Sequence, residues 1–166
     1  MTTQAEIADL REMGDEDTLK GKYLIFTMDK ELYGIEIRYI TEIIGIQPIT
    51  KVPEMPPYVK GITNLRGQII PVMDARLRFK KPEREYDDRT CIIVLDTNDI
   101  SVGLIVDSVV EVLTIADEDI APPPEISKGG QRYIKGIGKA GDTVKLLLDC
   151  KRLLTADEVD ALSELP

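Results

Sequence analysis

The chain has 166 residues, enough for one domain or for two small halves that share a core. It carries 30 acidic against 21 basic residues, a net charge of -9, which argues against nucleic acid as a partner because such binding depends on an excess of lysine and arginine. The sequence contains no histidine, which excludes Ser-His-Asp and Cys-His nucleophilic sites and histidine-ligated zinc.

Residues 1–20 are predicted to form a flexible acidic lead. The part from Met1 to Asp17 holds six acids and no apolar run, so it is not a signal peptide. No stretch approaches the roughly 20 apolar residues that a membrane span requires. We therefore expect a cytoplasmic protein with no direct membrane insertion. Cys91 and Cys150 lie in apolar segments and are expected to be small buried hydrophobic side chains rather than a disulfide.

From residue 22 onward the chain alternates short apolar runs with polar turns. The runs at 23–28 and 32–37, separated by a charged turn, predict a hairpin. Later runs at similar spacing predict further short strands, at 43–49, 61–65, 68–73, 90–95, 101–106, 109–115, 133–137 and 144–148. Many short strands bounded by Gly, Pro, Asn or Asp are typical of a mainly β protein, a barrel or a sandwich.

Three segments fall outside this strand pattern. The charged stretch 80–89 is predicted to be a linker, and the proline-rich stretch 121–130 an enlarged loop. Residues 155–166 are predicted to form a short C-terminal helix, because Thr155 and Glu158 match the capping-box spacing.

An internal repeat divides the chain into halves at about 22–79 and 90–154. Residues 58–79 align without a gap on 133–154, and residues 34–44 align on 103–113. The first alignment pairs Tyr58 with Tyr133, Lys60 with Lys135, Gly61 with Gly136, Ile62 with Ile137, and Asp74 with Asp149. A half of this size is marginally stable alone, so we expect the halves to pack together and to form a binding cleft between them.

Candidate catalytic and ligand motifs are weak. Asp74 and Asp149 are repeat-related and could form a shared-proton dyad, but capping of a turn at a strand end is the favoured interpretation. The acidic stretch 96–99 lacks the glycine and distal glutamate of a calcium loop. The glycines at 136 and 138 lack the lysine and the helix of a phosphate loop.

A recognition surface is the stronger candidate. The aliphatic residues between Ile35 and Ile44 are mostly core, but any exposed surplus would suit an amphipathic partner helix. Arg66 and Gly67 lie between two strand-like runs, which favours a hairpin turn. We expect Arg66 either to be a solvated turn residue or to be held by a carboxylate such as Glu42.

Residues 58–74 resemble the signature of the CheW family of chemotaxis coupling proteins. The pattern Gly-x-x-Asn-Leu-Arg-Gly-x-x-x-Pro is present as Gly61, Asn64, Leu65, Arg66, Gly67 and Pro71. Segments 33–37, 42–43, 102–107 and 111–113 are also similar to the family, so the resemblance covers about 21–156.

The resemblance implies a CheW-like domain over 21–154, made of two pseudo-repeated SH3-like five-stranded β-barrels that share a hydrophobic core, with one barrel in each half, at about 22–79 and 90–154. It implies no catalysis and no cofactor. It also implies an adaptor that links the cytoplasmic tip of chemoreceptors to the regulatory domain of the histidine kinase CheA. Two alternatives stay open: a CheW-like scaffold in a non-chemotactic two-component system, and an excised domain of CheV or CheA.

The resemblance also implies site residues. Receptor contacts would fall around the groove between the barrels, with a salt bridge between Glu42 and Arg66, at Ile40, Glu42, Gly61, Arg66, Gly103 and Val112. Kinase contacts would include Lys60 and, in the proline-rich loop, Ile126.

Overall fold

The computed structural model describes residues 19–97, 100–123 and 133–153. Residues 1–18 of the predicted lead, the predicted helix at 155–166 and Ile126 lie outside this part of the chain. The described residues form two β-sheets, two short α-helices and two single-turn 3-10 helices. The predicted mainly β class is therefore confirmed.

The first sheet has six strands, which are in chain order β1 (Lys22–Met28), β2 (Glu31–Glu36), β8 (Ser108–Thr114), β9 (Ile120–Ala121), β10 (Ile134–Ala140) and β11 (Thr143–Leu148). Their spatial order in the sheet is β8-β1-β2-β11-β10-β9. The predicted first hairpin is confirmed, because β1 pairs antiparallel with β2 across a turn that contains Asp29 in the left-handed conformation, φ 57°.

The second sheet has five strands, which are in chain order β3 (Ile40–Gly45), β4 (Val59–Leu65), β5 (Gln68–Asp74), β6 (Cys91–Thr97) and β7 (Ile100–Val106). Their spatial order in the sheet is β3-β6-β7-β5-β4. The short helix α1 (Ala75–Arg78) follows β5, and α2 (Cys150–Leu153) follows β11. Residues 81–87, within the predicted linker, have no regular secondary structure.

The two sheets have matching strand orders under the internal repeat. Five strands of the first sheet correspond one by one to the strands of the second: β8 to β3, β1 to β6, β2 to β7, β11 to β5 and β10 to β4. These matched sets are the two predicted SH3-like barrels. The two-residue strand β9 pairs with β10 at Ile137, and the first half has its counterpart in the isolated bridge between Thr50 and Ile62.

The barrels are assembled across the halves of the repeat, which differs from the expectation of one barrel within each half. Strands β1 and β2 of the first half join β8 to β11 of the second, while β6 and β7 of the second half join β3 to β5. The physical reason is that each half crosses between the sheets after its second strand. The first half crosses through the 3-10 helix Ile37–Tyr39, and the second crosses at Asp107. Parallel pairing of β11 with β2 and of β5 with β7 joins the exchanged strands.

The core has one large cluster between the sheets and a smaller cluster inside each barrel. On β1, Leu24 and Phe26 belong to the shared cluster, while Tyr23 and Ile25 belong to the cluster of the first barrel. Successive side chains of a strand point to opposite faces, so such a strand is apolar on both faces. This explains the continuous apolar runs of the sequence, which do not alternate with polar residues.

Glu36 and Lys135 form a half-buried ion pair in the first sheet. Glu36 accepts hydrogen bonds from the Lys135 ammonium and from Arg38 Nε, the latter at 2.8 Å. The Lys135 ammonium lies 5.2 Å from the centroid of the Tyr23 ring. Burial is the largest single effect and opposes the charged form of Glu36, but the hydrogen bonds and positive charges of Lys135 and Arg38 together outweigh it, so the pKa of Glu36 is lowered.

Separated halves are expected not to fold alone, because each sheet needs strands from the other half. Residues 1–84 and 85–166, expressed separately, should give poorly dispersed amide NMR spectra. The equimolar mixture should recover the dispersed spectrum of the intact chain. A native-like spectrum from either half alone would contradict this strand exchange.

Replacement Glu36→Gln is expected to change how stability depends on pH. A lowered folded pKa contributes stability that is present above the ordinary value of 4.5 and is lost as the pH falls through the folded value. The variant should be less stable than wild type near neutral pH, and the difference in their free energies of unfolding should become smaller between roughly pH 5 and pH 3. Urea unfolding at several pH values measures this difference. Glu118→Gln, at an exposed glutamate, is the matched control. A difference in the free energy of unfolding between Glu36→Gln and wild type that stays constant over this pH range would contradict the lowered pKa of Glu36.

Candidate functional site

An open groove runs between β3 and β8, which are edge strands of the two sheets within the described part of the chain. These strands are repeat-related, so the groove lies between equivalent edges of the two barrels. We call it the inter-barrel groove. It is lined by Ile43, Asp88, Arg89, Cys91, Ser108, Val109 and Val110. The aliphatic side chains suit an apolar partner surface, and the flanking charges can orient that partner.

A second, more polar hollow lies on the other side of β3. It is lined by Thr41, Glu42, Leu65, Arg66, Gln68, Ile70, Val94, Asp96 and Ser101. Strand β3 separates the two depressions because successive side chains alternate in direction. Glu42 thus faces the hollow, while Ile43 faces the inter-barrel groove.

Arg66 is presented by a tight hairpin turn. Strand β4 ends at Leu65 and β5 begins at Gln68, and both turn residues have positive φ, 53° for Arg66 and 86° for Gly67. This is the conformation of a two-residue type I′ hairpin, in which glycine is favoured at the second position. The Asn64 side-chain oxygen accepts a hydrogen bond from the Gly67 amide at 2.8 Å and so closes the turn. The predicted hairpin turn is confirmed.

The Arg66 guanidinium donates a hydrogen bond to the Glu42 carboxylate on β3. The expected ion pair is therefore present, although its role in receptor recognition stays a prediction. The Arg66 side chain is 66% exposed and that of Glu42 is 12% exposed. An ion pair with so exposed a member contributes about 0–1 kcal/mol to folding.

The other four predicted receptor residues are less accessible. Ile40, Gly61 and Gly103 are buried, and Val112 on β8 is partly buried against the shared cluster. A Cβ added at Gly103 would lie 2.8 Å from Ile92 Cγ2, so this glycine allows close packing of two strands. Ile40, Gly61 and Gly103 thus shape the strands, whereas Arg66 and Glu42 reach the surface.

The two predicted kinase residues cannot be compared with each other, since Ile126 lies outside the described residues. Lys60 is on β4, the opposite edge of the second sheet from β3. Its ammonium donates to Glu83 at 2.7 Å and lies 5.9 Å from the centroid of the Tyr86 ring. Lys60 thus connects β4 to the linker, and its side chain is 23% exposed.

The predicted residues do not include Val109, Val110 and Cys91, which line the inter-barrel groove. The internal repeat could have predicted the two valines. Residues of β8 align with residues of β3, so a recognition strand in the first half predicts that the equivalent strand of the second half also contributes to the surface. Cys91 carried no such signal, because an apolar context is shared by core cysteines.

Asp74 and Asp149 cap the two α-helices. Asp74 accepts from the backbone amide of Arg76 at 2.8 Å and from that of Leu77 at 3.4 Å. Asp149 accepts from the backbone amides of Lys151 and Arg152 at 3.0 and 3.2 Å. The capping interpretation is confirmed for both aspartates.

The thiols are not arranged for nucleophilic chemistry. Cys91 and Cys150 are both free; Cys150 is buried as expected, whereas Cys91 is only partly buried because it lines the inter-barrel groove. Burial raises the pKa of Cys150 to about 12, which keeps this thiol protonated near neutral pH. Among residues 19–97, 100–123 and 133–153, no cluster of three or more His, Cys, Asp or Glu side chains is placed to hold a metal ion.

The paired SH3-like barrels with a groove between them define a mainly β, tandem-barrel class of protein. The CheW-like domain model matches residues 22–158. The chemotaxis protein CheW of Klebsiella aerogenes is 36% identical over 156 residues, which span 93% of each chain. The CheW protein of Treponema pallidum is 34% identical, over 84% of this chain and 85% of its own.

A solved structure shows the same fold. The scaffolding protein CheW of Thermoanaerobacter tengcongensis superposes with a TM-score of 0.77 at 35% identity, over 83% of this chain and 94% of that one. The chain belongs to the CheW family. No helix among its described residues is both long and apolar enough to cross a membrane.

Gly61→Ala is expected to destabilise the fold far more than Gly67→Ala. Gly61 has φ 146°, and an added Cβ would overlap the Thr50 carbonyl oxygen, whereas a Cβ at Gly67 meets no atom within 4 Å. Backbone strain with overpacking predicts a loss of about 3 kcal/mol at Gly61, against about 1 kcal/mol for strain alone at Gly67. Denaturant unfolding measures both values. Equal losses would show that the strand at Gly61 moves freely away from Thr50.

Proposed function

We propose that this chain is a non-enzymatic chemotaxis adaptor that couples transmembrane chemoreceptors to the histidine kinase CheA. The observation that carries the proposal is the inter-barrel groove, with the ion pair of Arg66 and Glu42 on the adjoining face of β3. Membership of the CheW family supports the chemotaxis assignment. The adaptor brings receptor signals to the kinase and performs no chemistry itself.

The receptor side of the adaptor binds a helix from the cytoplasmic tip of the receptor. An amphipathic helix places its apolar face in a hydrophobic groove, as Val109, Val110 and Ile43 provide here. Arg66 and Glu42, which line the hollow on the other side of β3, contact the receptor outside the groove and fix its orientation, because an arginine that becomes buried in an interface contributes strongly to binding. Ile40, Gly61, Gly103 and Val112 support this surface from within or from its border.

The kinase side of the adaptor lies on the barrel edges, with Lys60 and Ile126 as contact residues. Among the described residues, strand β4 is one edge of the second sheet, and only part of it is covered there by the bridge of Thr50 to Ile62. An uncovered strand edge can pair with a partner barrel of the same kind in the regulatory domain of CheA. Such contacts can be individually weak, because an array of receptors multiplies them. The receptors hold the adaptor at the membrane.

Arg66→Ala is expected to weaken receptor binding while leaving the fold intact. Loss of a buried interface arginine typically costs about 2 kcal/mol, which corresponds to roughly a 30-fold weaker affinity. The ion pair with Glu42 contributes less than about 1 kcal/mol to folding. Titration calorimetry with a receptor cytoplasmic fragment and with the CheA regulatory domain measures both affinities.

Two further variants sharpen this experiment. Val110→Gln places a polar group in the groove and should also weaken receptor binding, whereas Val144→Gln, at a 55% exposed valine outside the groove, should not. The kinase domain should bind all three variants as it binds wild type. If Arg66→Ala unfolds the protein, the recognition role of Arg66 fails. If wild type binds neither partner, the coupling function fails.

A further inference from the structure

A cluster of ion pairs centred on Arg76 contributes no lining residue to the groove or to the hollow. Arg76 Nη1 donates to Asp29 at 2.8 Å and to Asp107 at 2.7 Å, and Arg76 Nε donates to the Pro82 carbonyl at 2.8 Å. The side chains of Arg76 and Asp107 are 8% and 9% exposed. We call Arg76, Asp29 and Asp107 the clasp.

The clasp joins segments that belong to different barrels. Arg76 is in α1, directly after β5 of the second sheet, and Asp29 is in the turn between β1 and β2 of the first. Asp107 is the single residue between β7 of the second sheet and β8 of the first. The clasp therefore holds the point at which the chain passes from one barrel to the other.

Further hydrogen bonds converge on the Asp107 carboxylate. It accepts from the Asp29 backbone amide at 2.8 Å and from Arg84 Nη1 at 3.1 Å. The hydrogen bond from Arg76 keeps the pKa of Asp29 below its usual range. Without Arg76, the buried Asp107 carboxylate would keep only the Asp29 amide and the more exposed Arg84 as partners, and weaker compensation of a buried charge is unfavourable. We expect the crossing then to shift toward solvent.

This crossing adjoins one wall of the inter-barrel groove. Ser108, Val109 and Val110 follow Asp107 directly in the chain and line the groove, while Ile43 on β3 lies on the facing wall. The direction in which β8 leaves Asp107 therefore determines how far the β8 wall stands from the β3 wall.

We propose that Arg76 is a positioning residue of the receptor site: through Asp29 and Asp107 it sets the separation of the β3 and β8 walls of the inter-barrel groove. The inference rests on the proposed function, because it takes this groove to be the receptor site. Arg76 itself touches no partner. It preorganises the groove, and a preorganised site binds more tightly because less freedom is lost on binding.

The wall separation can be measured without any partner. Nitroxide labels at Gly45→Cys on β3 and Glu111→Cys on β8, both exposed positions, report it by double electron–electron resonance in the full chain carrying Cys91→Ser. Arg76→Leu should shift or broaden the distance distribution, and Asp29→Asn should do so to a smaller degree. Arg84→Leu is the matched control, since it removes an arginine that is 46% exposed from the same carboxylate and should leave the distribution unchanged.

Binding provides the second readout, in unlabelled protein. Arg76→Leu should weaken binding of the receptor fragment about tenfold through lost preorganisation. Binding of the CheA regulatory domain should stay unchanged, which a general loss of stability would not allow. Arg76→Lys keeps one charge and should restore part of the receptor affinity.

Three results would overturn the proposal. The first is a folded Arg76→Leu variant with wild-type distances and wild-type receptor affinity. The second is a parallel loss of both partners, which would make the clasp a stability element only. The third is unfolding of both Arg76→Leu and Asp29→Asn, which has the same meaning. Failure of the wild type to bind the receptor fragment would instead refute the proposed function, whatever the distance measurement shows.

Discussion

The apolar cluster between the two sheets is the constraint on which the rest of the structure depends. Its side chains come from both barrels, with Phe26 and Ile35 from the first sheet and Ile93 and Leu104 from the second. A half of about 60 residues buries too little surface to be stable alone, so the halves share one core. Exchange of strands across the repeat makes that sharing obligatory, because neither sheet can be completed by one half. The result is one folding unit with two barrels.

This arrangement also decides where a binding surface can form. Strands with two largely buried faces, such as β1, leave few side chains for recognition. The edge strands β3 and β8 differ, since each is paired on one side only within the described residues. Each half crosses between the sheets immediately before its edge strand, so the two edges flank a single groove. The groove is therefore a consequence of the crossing, and the ion pairs of Arg76 hold the crossing at Asp107.

Local features of the fold could be predicted from the sequence, because a few neighbouring residues determine them. The turn at Arg66 and Gly67 follows from a glycine between two apolar runs, and the caps at Asp74 and Asp149 follow from aspartate at a strand end. The strand exchange could not be predicted, because the repeat shows which strands are equivalent and not which strands pair. The burial of Ile40 depends on this pairing. The clasp was missed for a related reason: Arg76 and Asp107 are separated by 31 positions, and only the crossing brings them together.

The repeat is broken at the residue proposed to recognise the receptor. Glu42 has an equivalent in Glu111, but the position equivalent to Arg66 is Gly141, in the turn between β10 and β11. Both turn residues have positive φ, 53° for Arg66 and 67° for Gly141, so the backbone conformation is kept while the cation is lost. Arginine in a left-handed conformation costs about 1 kcal/mol relative to glycine, and its exposed ion pair with Glu42 only partly offsets that cost. The first half thus has an arginine with a strained backbone at this turn position, whereas the second half has a glycine, which adopts the same conformation without strain. Stability alone does not explain this difference, whereas the receptor contact proposed for Arg66 would, because a single cation on one face of a pseudo-symmetric molecule would fix the orientation of its partner.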